Sequence, residues 1–450
     1  MIPTAAETAD AVRRGDLSAV AALDSALERI ALHDPVIGAF QVVRAERARA
    51  EAAQIDADPH RDSLPLAGVP IAVKDNVPVS GEPMRIGSAA TDPTPQTTDH
   101  EVVRRLRAAG AVVVGLTRVP ELCVYGATDS VFGVTRNPWN LERTPGGSSG
   151  GSAASVAAGM VAVAHGNDGM GSIRIPAACC GLVGVKPGLG TVPAELGNGS
   201  WFNMSENGPL TTTVADAALM LSVMAARPEL ASAPAAERVD ALRVAVSVKA
   251  PAPFTPVDPL FVAAVRATGD LLAGLGHQVR EAEPTYPTST ALAALARWFA
   301  GAEMDARLVA DRSQLEPRIG RHAAVGRMAL RMRAVRPASR EAWRRTAERF
   351  LAEHDILVTP GLAQLPIAAE RWSERGLLAS LAANARYAPF AAPWNLAGWP
   401  AMVMPAGSHP NGMPLSVQLV GRPGSEALLL SVAAQLEQIR PWARTAPSYG

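Results

Sequence analysis

Short apolar runs that alternate with helix-like stretches constrain the fold of this chain more than any other feature of its sequence. These runs have the length of a buried strand and occupy residues 68–73, 111–116, 242–248, 356–359 and 401–405. Strands that alternate with helices favour a sheet that is covered on both faces. We therefore predict an α/β fold with a large mixed, mostly parallel central sheet and helices on both of its faces.

The domain organisation follows from the chain length and from one change in composition. Residues 5–30 predict two amphipathic helices, broken at Gly15 and Asp16. A chain of 450 residues could form about three domains, but one continuous sheet can use them all. A stretch rich in Ala, Pro and Ser begins near residue 227. We predict one domain in four parts, namely an N-terminal helical layer at 1–65, a core at 66–225, a helix-rich segment at 226–350 and a return to the sheet at 351–450.

Charge and cysteine content limit the partners and the compartment. Lys plus Arg and Asp plus Glu both total 42, so no global field would attract nucleic acid or an anionic membrane. The three cysteines, Cys123, Cys179 and Cys180, give no disulfide framework, which favours a reducing compartment. The N-terminus lacks a secretion-signal pattern and no apolar run is long enough to span a bilayer. We expect a cytoplasmic protein without a membrane or nucleic-acid partner.

The first candidate motif is the glycine- and serine-rich segment at residues 143–160, which contains Ser148. A flexible linker is one reading, but the small residues continue directly into a helix-like apolar segment. A phosphate-binding loop would need Gly-Lys-Ser/Thr after the glycines, which is absent. Residues 146–150 do fit the G-x-S-x-G nucleophile elbow, although that motif needs a preceding strand and residues 137–145 indicate a loop.

The second motif, at residues 165–187, places Ser172 in a turn beside Gly169 and Gly171. Glycines permit backbone conformations in which several N–H groups point at one spot, as an oxyanion hole requires. Each such donor stabilises a transition state by about 2.7 to 4 kcal/mol. We predict that the N–H groups of residues 169–172 form this hole; an ordinary tight turn is the alternative.

The third motif is Lys74, at the end of a strand-like run. A lysine there is commonly a solvated charge. To act as a base it must lose its proton. If its pKa kept the reference value of about 10.4, only about one molecule in a few thousand would be neutral at pH 7. Burial would lower that pKa, and the apolar neighbours permit burial. His165 is expected to be structural, and the histidines lack metal-ligand spacing.

Taken together, residues 66–187 resemble the amidase-signature family. The resemblance implies that Ser172 is the nucleophile, that Ser148 lies on a cis peptide bond and relays protons, and that Lys74 is the base. The two serines are 24 residues apart, the separation expected for this family. Further matches lie outside these motifs, at residues 117–121, 132–139, 393–407 and 412–430.

Two features of this sequence bear on the site that the resemblance implies. Met170 stands where the family has glycine, so the donor geometry in the predicted oxyanion hole of Gly169, Met170, Gly171 and Ser172 depends on a backbone that accepts a side chain. Residues 227–349 show little resemblance, and in this family such stretches shape the substrate pocket. Candidate pocket residues are Leu122, Cys123, Tyr125 and Trp298.

The predicted function is hydrolysis of a carboxamide or related C–N bond of a small neutral or apolar amide, without a cofactor or metal. The first alternative is the glutaminase subunit of a tRNA-dependent amidotransferase. It would need charged partners for the glutamine α-ammonium and α-carboxylate, and residues 387–393 offer no acid. The second alternative is a catalytically degenerate binding module. A homodimer is left open.

Overall fold

The computed structural model describes residues 2–235, 239–252 and 255–449. Its strands are β1 (Phe40–Val43), β2 (Pro70–Lys74), β3 (Val112–Thr117), β4 (Asp129–Ser130), β5 (Gly133–Val134), β6 (Val163–Asp168), β7 (Val183–Lys186), β8 (Glu206–Thr211), β9 (Arg243–Val246), β10 (Gln278–Glu281), β11 (Ile356–Pro360), β12 (Ala401–Ser408) and β13 (Pro414–Gly421). Its helices are α1 (Ala5–Arg14), α2 (Ala19–Ile37), α3 (Ala45–Ala57), α4 (Glu101–Ala108), α5 (Gly150–Ala157), α6 (Arg174–Cys180), α7 (Ser200–Asn203), α8 (Val214–Ala225), α9 (Pro259–Gly274), α10 (Thr288–Ala306), α11 (Pro317–Arg331), α12 (Pro337–Ala352), α13 (Gly376–Tyr387), α14 (Ala392–Ala397) and α15 (Glu426–Ile439).

One sheet joins the two ends of the chain. Its strand order is β1-β3-β2-β6-β8-β7-β12-β13-β11-β9-β10, and β4 pairs with β5 in a separate hairpin. Parallel pairing forms two blocks, β3-β2-β6 and β11-β9-β10. The strands between these blocks are antiparallel, as is the edge pair β1-β3. The predicted large mixed sheet is confirmed, while its parallel pairing is confined to the two blocks and does not extend through the centre.

Helices pack on both faces of this sheet, as predicted. On one face α5 contacts β2, β3, β6 and β8, and α6 contacts β7, β12 and β13. On the other face α8 contacts β6, β7 and β8, and α9 and α15 contact β12 and β13. Since both faces are covered, β2, β3, β6, β7, β8, β11 and β13 are buried along their whole length.

The elements predicted from apolar spacing are present. All five predicted strands occur, as β2, β3, β9, β11 and β12, with ends that differ by up to three residues. The two N-terminal helices are α1 and α2, and Gly15 ends α1 with a positive φ of 77°. Residues 412–430, which also match the family, contain β13 and the start of α15.

Three further features of the described residues bear on the sequence predictions. Residues 137–149 contain no strand of the main sheet, which removes the strand that a nucleophile elbow before Ser148 would need. The cysteines are buried and free. Among the described residues, no helix is both long enough and apolar enough to cross a membrane.

Candidate active site

The site forms where the carboxyl ends of β2 and β6 meet. The two strands are parallel neighbours, so their last residues, Lys74 and Asp168, lie at the same edge of the sheet. Helices α5 and α6 begin beside this edge, and the glycine-rich segments that precede them carry Ser148 and Ser172. The three motifs that the sequence separates are thereby brought to one place.

Lys74 is fully buried, and its ammonium group is surrounded by acceptors. Its Nζ donates to Ser148 Oγ at 2.7 Å, to Asn167 Oδ1 at 2.7 Å and to the Asn167 carbonyl at 3.3 Å. Burial lowers the pKa of Lys74 from 10.5 to about 8, although the charge of Asp168 acts in the opposite direction. The burial that base chemistry requires is therefore present.

Ser148 follows a cis peptide bond from Gly147, as the family resemblance implied. Its hydroxyl also meets the thiol of Cys123. Burial raises the pKa of that thiol to about 11, so Cys123 stays protonated at neutral pH. The next residue, Ser149, donates its backbone N–H to the Ser172 carbonyl at 3.1 Å and so connects the two glycine-rich segments.

Asp168 organises the turn that carries Ser172. Its carboxylate accepts the backbone N–H groups of Gly171 at 2.6 Å and Ile173 at 3.2 Å, and it forms a fully buried ion pair with Arg174 at 2.9 Å. Burial alone would raise the pKa of Asp168, but the Arg174 guanidinium holds it well below its usual value. The turn is thus fixed around an ionised carboxylate.

The C-terminal part of the chain completes this network. Arg174 also donates to Asn395 Oδ1 at 2.6 Å and to Gln418 Oε1 at 2.7 Å. Asn395 in turn donates to the Asp168 carboxylate at 2.8 Å. Residues more than 200 positions away therefore hold the turn that carries Ser172.

The backbone of the turn corrects one predicted oxyanion donor. The N–H of Gly171 is already used by Asp168, which leaves those of Gly169, Met170 and Ser172 as candidates. Gly171 has a φ of 113°, a region that favours glycine, whereas Met170 is not among the residues of positive φ. The position at which Met170 replaces glycine thus accepts a side chain without left-handed strain.

Comparison with known proteins agrees with this geometry. The sequence model of the amidase family matches residues 21–430. The chain belongs to the amidase family. A putative amidase, AmiB2, of Mycobacterium bovis is 45% identical over 99% of this chain and 97% of the relative. An acylamidase of Rhodococcus erythropolis is 33% identical over 99% of this chain and 97% of its own.

A solved structure extends the similarity to three dimensions. The structure of 6-aminohexanoate cyclic dimer hydrolase complexed with substrate superposes with a TM-score of 0.89 at 30% identity, covering 100% of this chain and 99% of the other. As a member of the amidase family, this chain is a hydrolase of carboxamide or related C–N bonds.

Two cavities meet at Ser172 in this member of the amidase family. The first, the apolar chamber, has a volume of about 440 Å³ and is walled by α10, α13 and the segment around Tyr125. Tyr125 and Trp298 form an edge-to-face pair on its wall, 5.8 Å between ring centroids, and Trp298 donates to the Val124 carbonyl at 3.0 Å. Among the described residues, its lining includes no charged side chain.

The second cavity, the polar chamber, has a volume of about 240 Å³ and contains Ser148, Asn167 and Asp305 on its wall. Ser172 and Trp201 line both chambers. Of the predicted pocket residues, Leu122 and Cys123 line the polar chamber, whereas Tyr125 and Trp298 line the apolar one. The structure therefore divides this predicted group between two cavities.

The sequence interpretation missed residues that the structure places around the site: Asn167, Arg174, Trp201, Asp305, Asn395 and Gln418. Asn167 stood next to Asp168 in the second motif, so its position could have been noticed as a polar residue at a strand end. Trp201 lies in α7, a left-handed turn in which φ is 52° for Trp201 and 57° for Phe202. No periodicity rule predicts such a turn, because non-glycine residues seldom adopt it.

Proposed function

We propose that this chain hydrolyses its amide through an acyl-enzyme on Ser172, with Ser148 and Lys74 as the proton relay. The observation that carries the proposal is the 2.7 Å hydrogen bond from the fully buried Lys74 to Ser148, beside a serine at the junction of two cavities. A lysine whose pKa is lowered to about 8 supplies a base that functions near neutral pH.

Acylation moves one proton along the relay. The Ser172 hydroxyl attacks the carbonyl carbon while its proton passes to Ser148, which gives its own proton to neutral Lys74. The carbonyl oxygen becomes an oxyanion, for which the N–H groups of Gly169, Met170 and Ser172 are the proposed donors. The C–N bond then breaks as Lys74 returns the proton through Ser148 to the leaving nitrogen.

Deacylation repeats the path with water in place of the serine hydroxyl. Water gives its proton through Ser148 to Lys74 and attacks the ester carbonyl, and the proton returns to Ser172 as the carboxylic acid leaves. The amine is released before this step. Asp168 and Arg174 take no proton during acylation or deacylation, because their ion pair keeps the Asp168 carboxylate ionised and holds the turn in place.

The apolar chamber supports a neutral, largely apolar acyl group as substrate. Its aromatic wall and the absence of charge among its described lining residues favour burial of hydrocarbon over burial of ions. The glutaminase alternative is weaker for the same reason, because glutamine would place an ammonium and a carboxylate on the acyl side. The inactive-module alternative is weaker because Lys74, Ser148 and Ser172 are all retained in one site.

The first test of the proposal is covalent labelling. Incubation with a fluorophosphonate and mapping by mass spectrometry should find the label on Ser172. Ser172→Ala should abolish labelling, whereas Ser148→Ala should slow it and leave the site of attachment unchanged. Attachment to Ser148 would instead support the nucleophile-elbow interpretation, and amide turnover by a protein that lacks both Ser172 and Lys74 would refute the assignment.

A substrate panel tests the acyl preference separately. We expect a higher kcat/KM for anilides and alkyl amides of apolar acids than for glutamine, because only the apolar acids fit the uncharged chamber. A clear preference for glutamine would contradict the proposal and favour the amidotransferase subunit.

A further inference from the structure

The relay determines which chamber receives the leaving amine. In the proposed function the leaving nitrogen takes its proton from Ser148, so the amine must lie on the Ser148 side of the scissile bond. Ser148 lines the polar chamber and is absent from the described lining of the apolar chamber. The acyl group then occupies the apolar chamber, and the amine occupies the polar one.

Asp305 is the feature that gives the polar chamber a chemical preference. It is the next-to-last residue of α10, and its carboxylate accepts from Trp201 Nε1 at 2.6 Å and from the Asn198 backbone N–H at 3.0 Å. A carboxylate has about four lone-pair positions, so these two neutral donors leave it with capacity for a further donor. Burial raises the pKa of the Cys123 thiol in the same chamber, and the charge of Asp305 adds to that effect.

The carboxylate has no cation to balance it within the described residues. The neighbouring Arg307 and Arg312 both pair with Glu303, and no lysine or arginine forms an ion pair with Asp305. Burial raises the pKa of Asp305 to about 6, and the two neutral donors only partly oppose this effect. A partly buried anion beside a cavity can be stabilised by a cation that the ligand brings.

We propose that the polar chamber binds the leaving amine and that Asp305 selects amines that carry a second, cationic group, as in monoamides of short linear diamines. This inference rests on the proposed function. The ammonium at the far end of the amine would donate to Asp305, and Trp201 offers its indole ring beside the same carboxylate. An amine that carries a carboxylate would be rejected by the same charge.

The experiment compares three amides that share a hexanoyl group and differ only in the amine: putrescine, pentylamine and γ-aminobutyrate. The pentylamine amide replaces the terminal ammonium with a methyl group of similar size. We expect kcat/KM to be roughly tenfold or more higher for the putrescine amide than for the pentylamine amide, because hydrogen bonds to charged groups discriminate by about this amount. The γ-aminobutyrate amide should be the slowest.

Two variants test whether Asp305 causes the preference for the putrescine amide. Asp305→Asn keeps the shape and should bring the putrescine-to-pentylamine ratio close to one. Asp270→Asn is the matched control, because it removes the same charge from an exposed position of α9 that lines neither chamber, and it should change the ratio less than about twofold. Free putrescine should also inhibit the unmodified enzyme more strongly than 1-pentanol, which has a similar length and no ammonium, and this measurement does not depend on a variant folding.

The outcomes separate this inference from the proposed function. Hydrolysis of all three amides with equal kcat/KM, or a putrescine preference that survives Asp305→Asn, overturns the role of Asp305 and leaves the amidase mechanism in place. Failure to hydrolyse any of them, together with failure of Ser172 to be labelled, overturns the proposed function and this inference with it.

Discussion

The protonation of Lys74 should set the acidic limb of the pH–rate profile. Only the neutral amine can accept a proton from Ser148, so kcat/KM should rise about tenfold per pH unit below the pKa of Lys74 and level off above it. With a pKa of about 8, the bend is expected near pH 8.

The magnitude follows from the shift that burial causes. At pH 7 a lysine with a pKa of about 8 is neutral in about one molecule in ten. At the unshifted value of 10.5 it would be neutral in about one in three thousand. Burial of Lys74 therefore increases the reactive fraction by about 300-fold at neutral pH.

A pair of variants tests this assignment. Lys74→Met keeps the length of the side chain and removes the base, so the acidic limb should disappear and only a small residual rate should remain from Ser172 and its oxyanion donors. Lys186→Met is the matched control, because Lys186 is also fully buried with a pKa lowered to about 8 but donates to the Pro187 carbonyl outside the relay. The pH–rate profile of Lys186→Met should retain its acidic limb.

The assay is the profile of kcat/KM from pH 6 to pH 10, with the melting temperature of each variant as a check on folding. A folded Lys74→Met protein with an unchanged acidic limb would refute the role of Lys74 as base. If the acidic limb were lost in Lys186→Met and kept in Lys74→Met, the limb would report the titration of Lys186, and this result would also refute the role of Lys74 as base.

Three further predictions concern the frame of the site. Arg174→Met leaves Asp168 buried without its cation and should lower the free energy of unfolding by about 3 to 5 kcal/mol in urea denaturation. Gly171→Ala should abolish activity and lower the melting temperature, because a Cβ there would lie 2.6 Å from the Ala391 Cβ at a φ of 113°. Ala294→Phe fills the apolar chamber and should lower kcat/KM at least about tenfold for bulky acyl amides relative to acetyl amides of the same amine.

The parts of the fold that could be predicted are those encoded in contiguous sequence. β2 and β3 are continuous apolar runs because they are buried on both faces, and α1 ends at Gly15 because a positive φ favours glycine. Strand order could not be predicted. Part of the antiparallel centre arises because β12 and β13 insert between β7 and β11, a pairing set by residues far apart in the chain.

The same distinction between local and long-range features applies to the candidate site. Lys74, Ser148 and Ser172 could be singled out because each lies in a local motif, and the family resemblance supplied their roles. The residues that hold the turn around Ser172 could not be found in that way, since Asn395 and Gln418 contact Arg174 only in the tertiary fold. Asp305 lies in the stretch with little family resemblance, where an acidic residue near a helix end ordinarily indicates only a solvated surface.

The long-range ties of Arg174 also bear on the biosynthesis of the protein. Gln418 is separated from Arg174 by 244 residues, so the ribosome has to complete β13 before this acceptor exists. Until β12 and β13 have been made, β7 lacks a neighbour on one side and the turn around Ser172 lacks the contacts that fix it. The turn around Ser172 can therefore reach its final form only after β12 and β13 have been synthesised and have connected the two parallel blocks of the sheet.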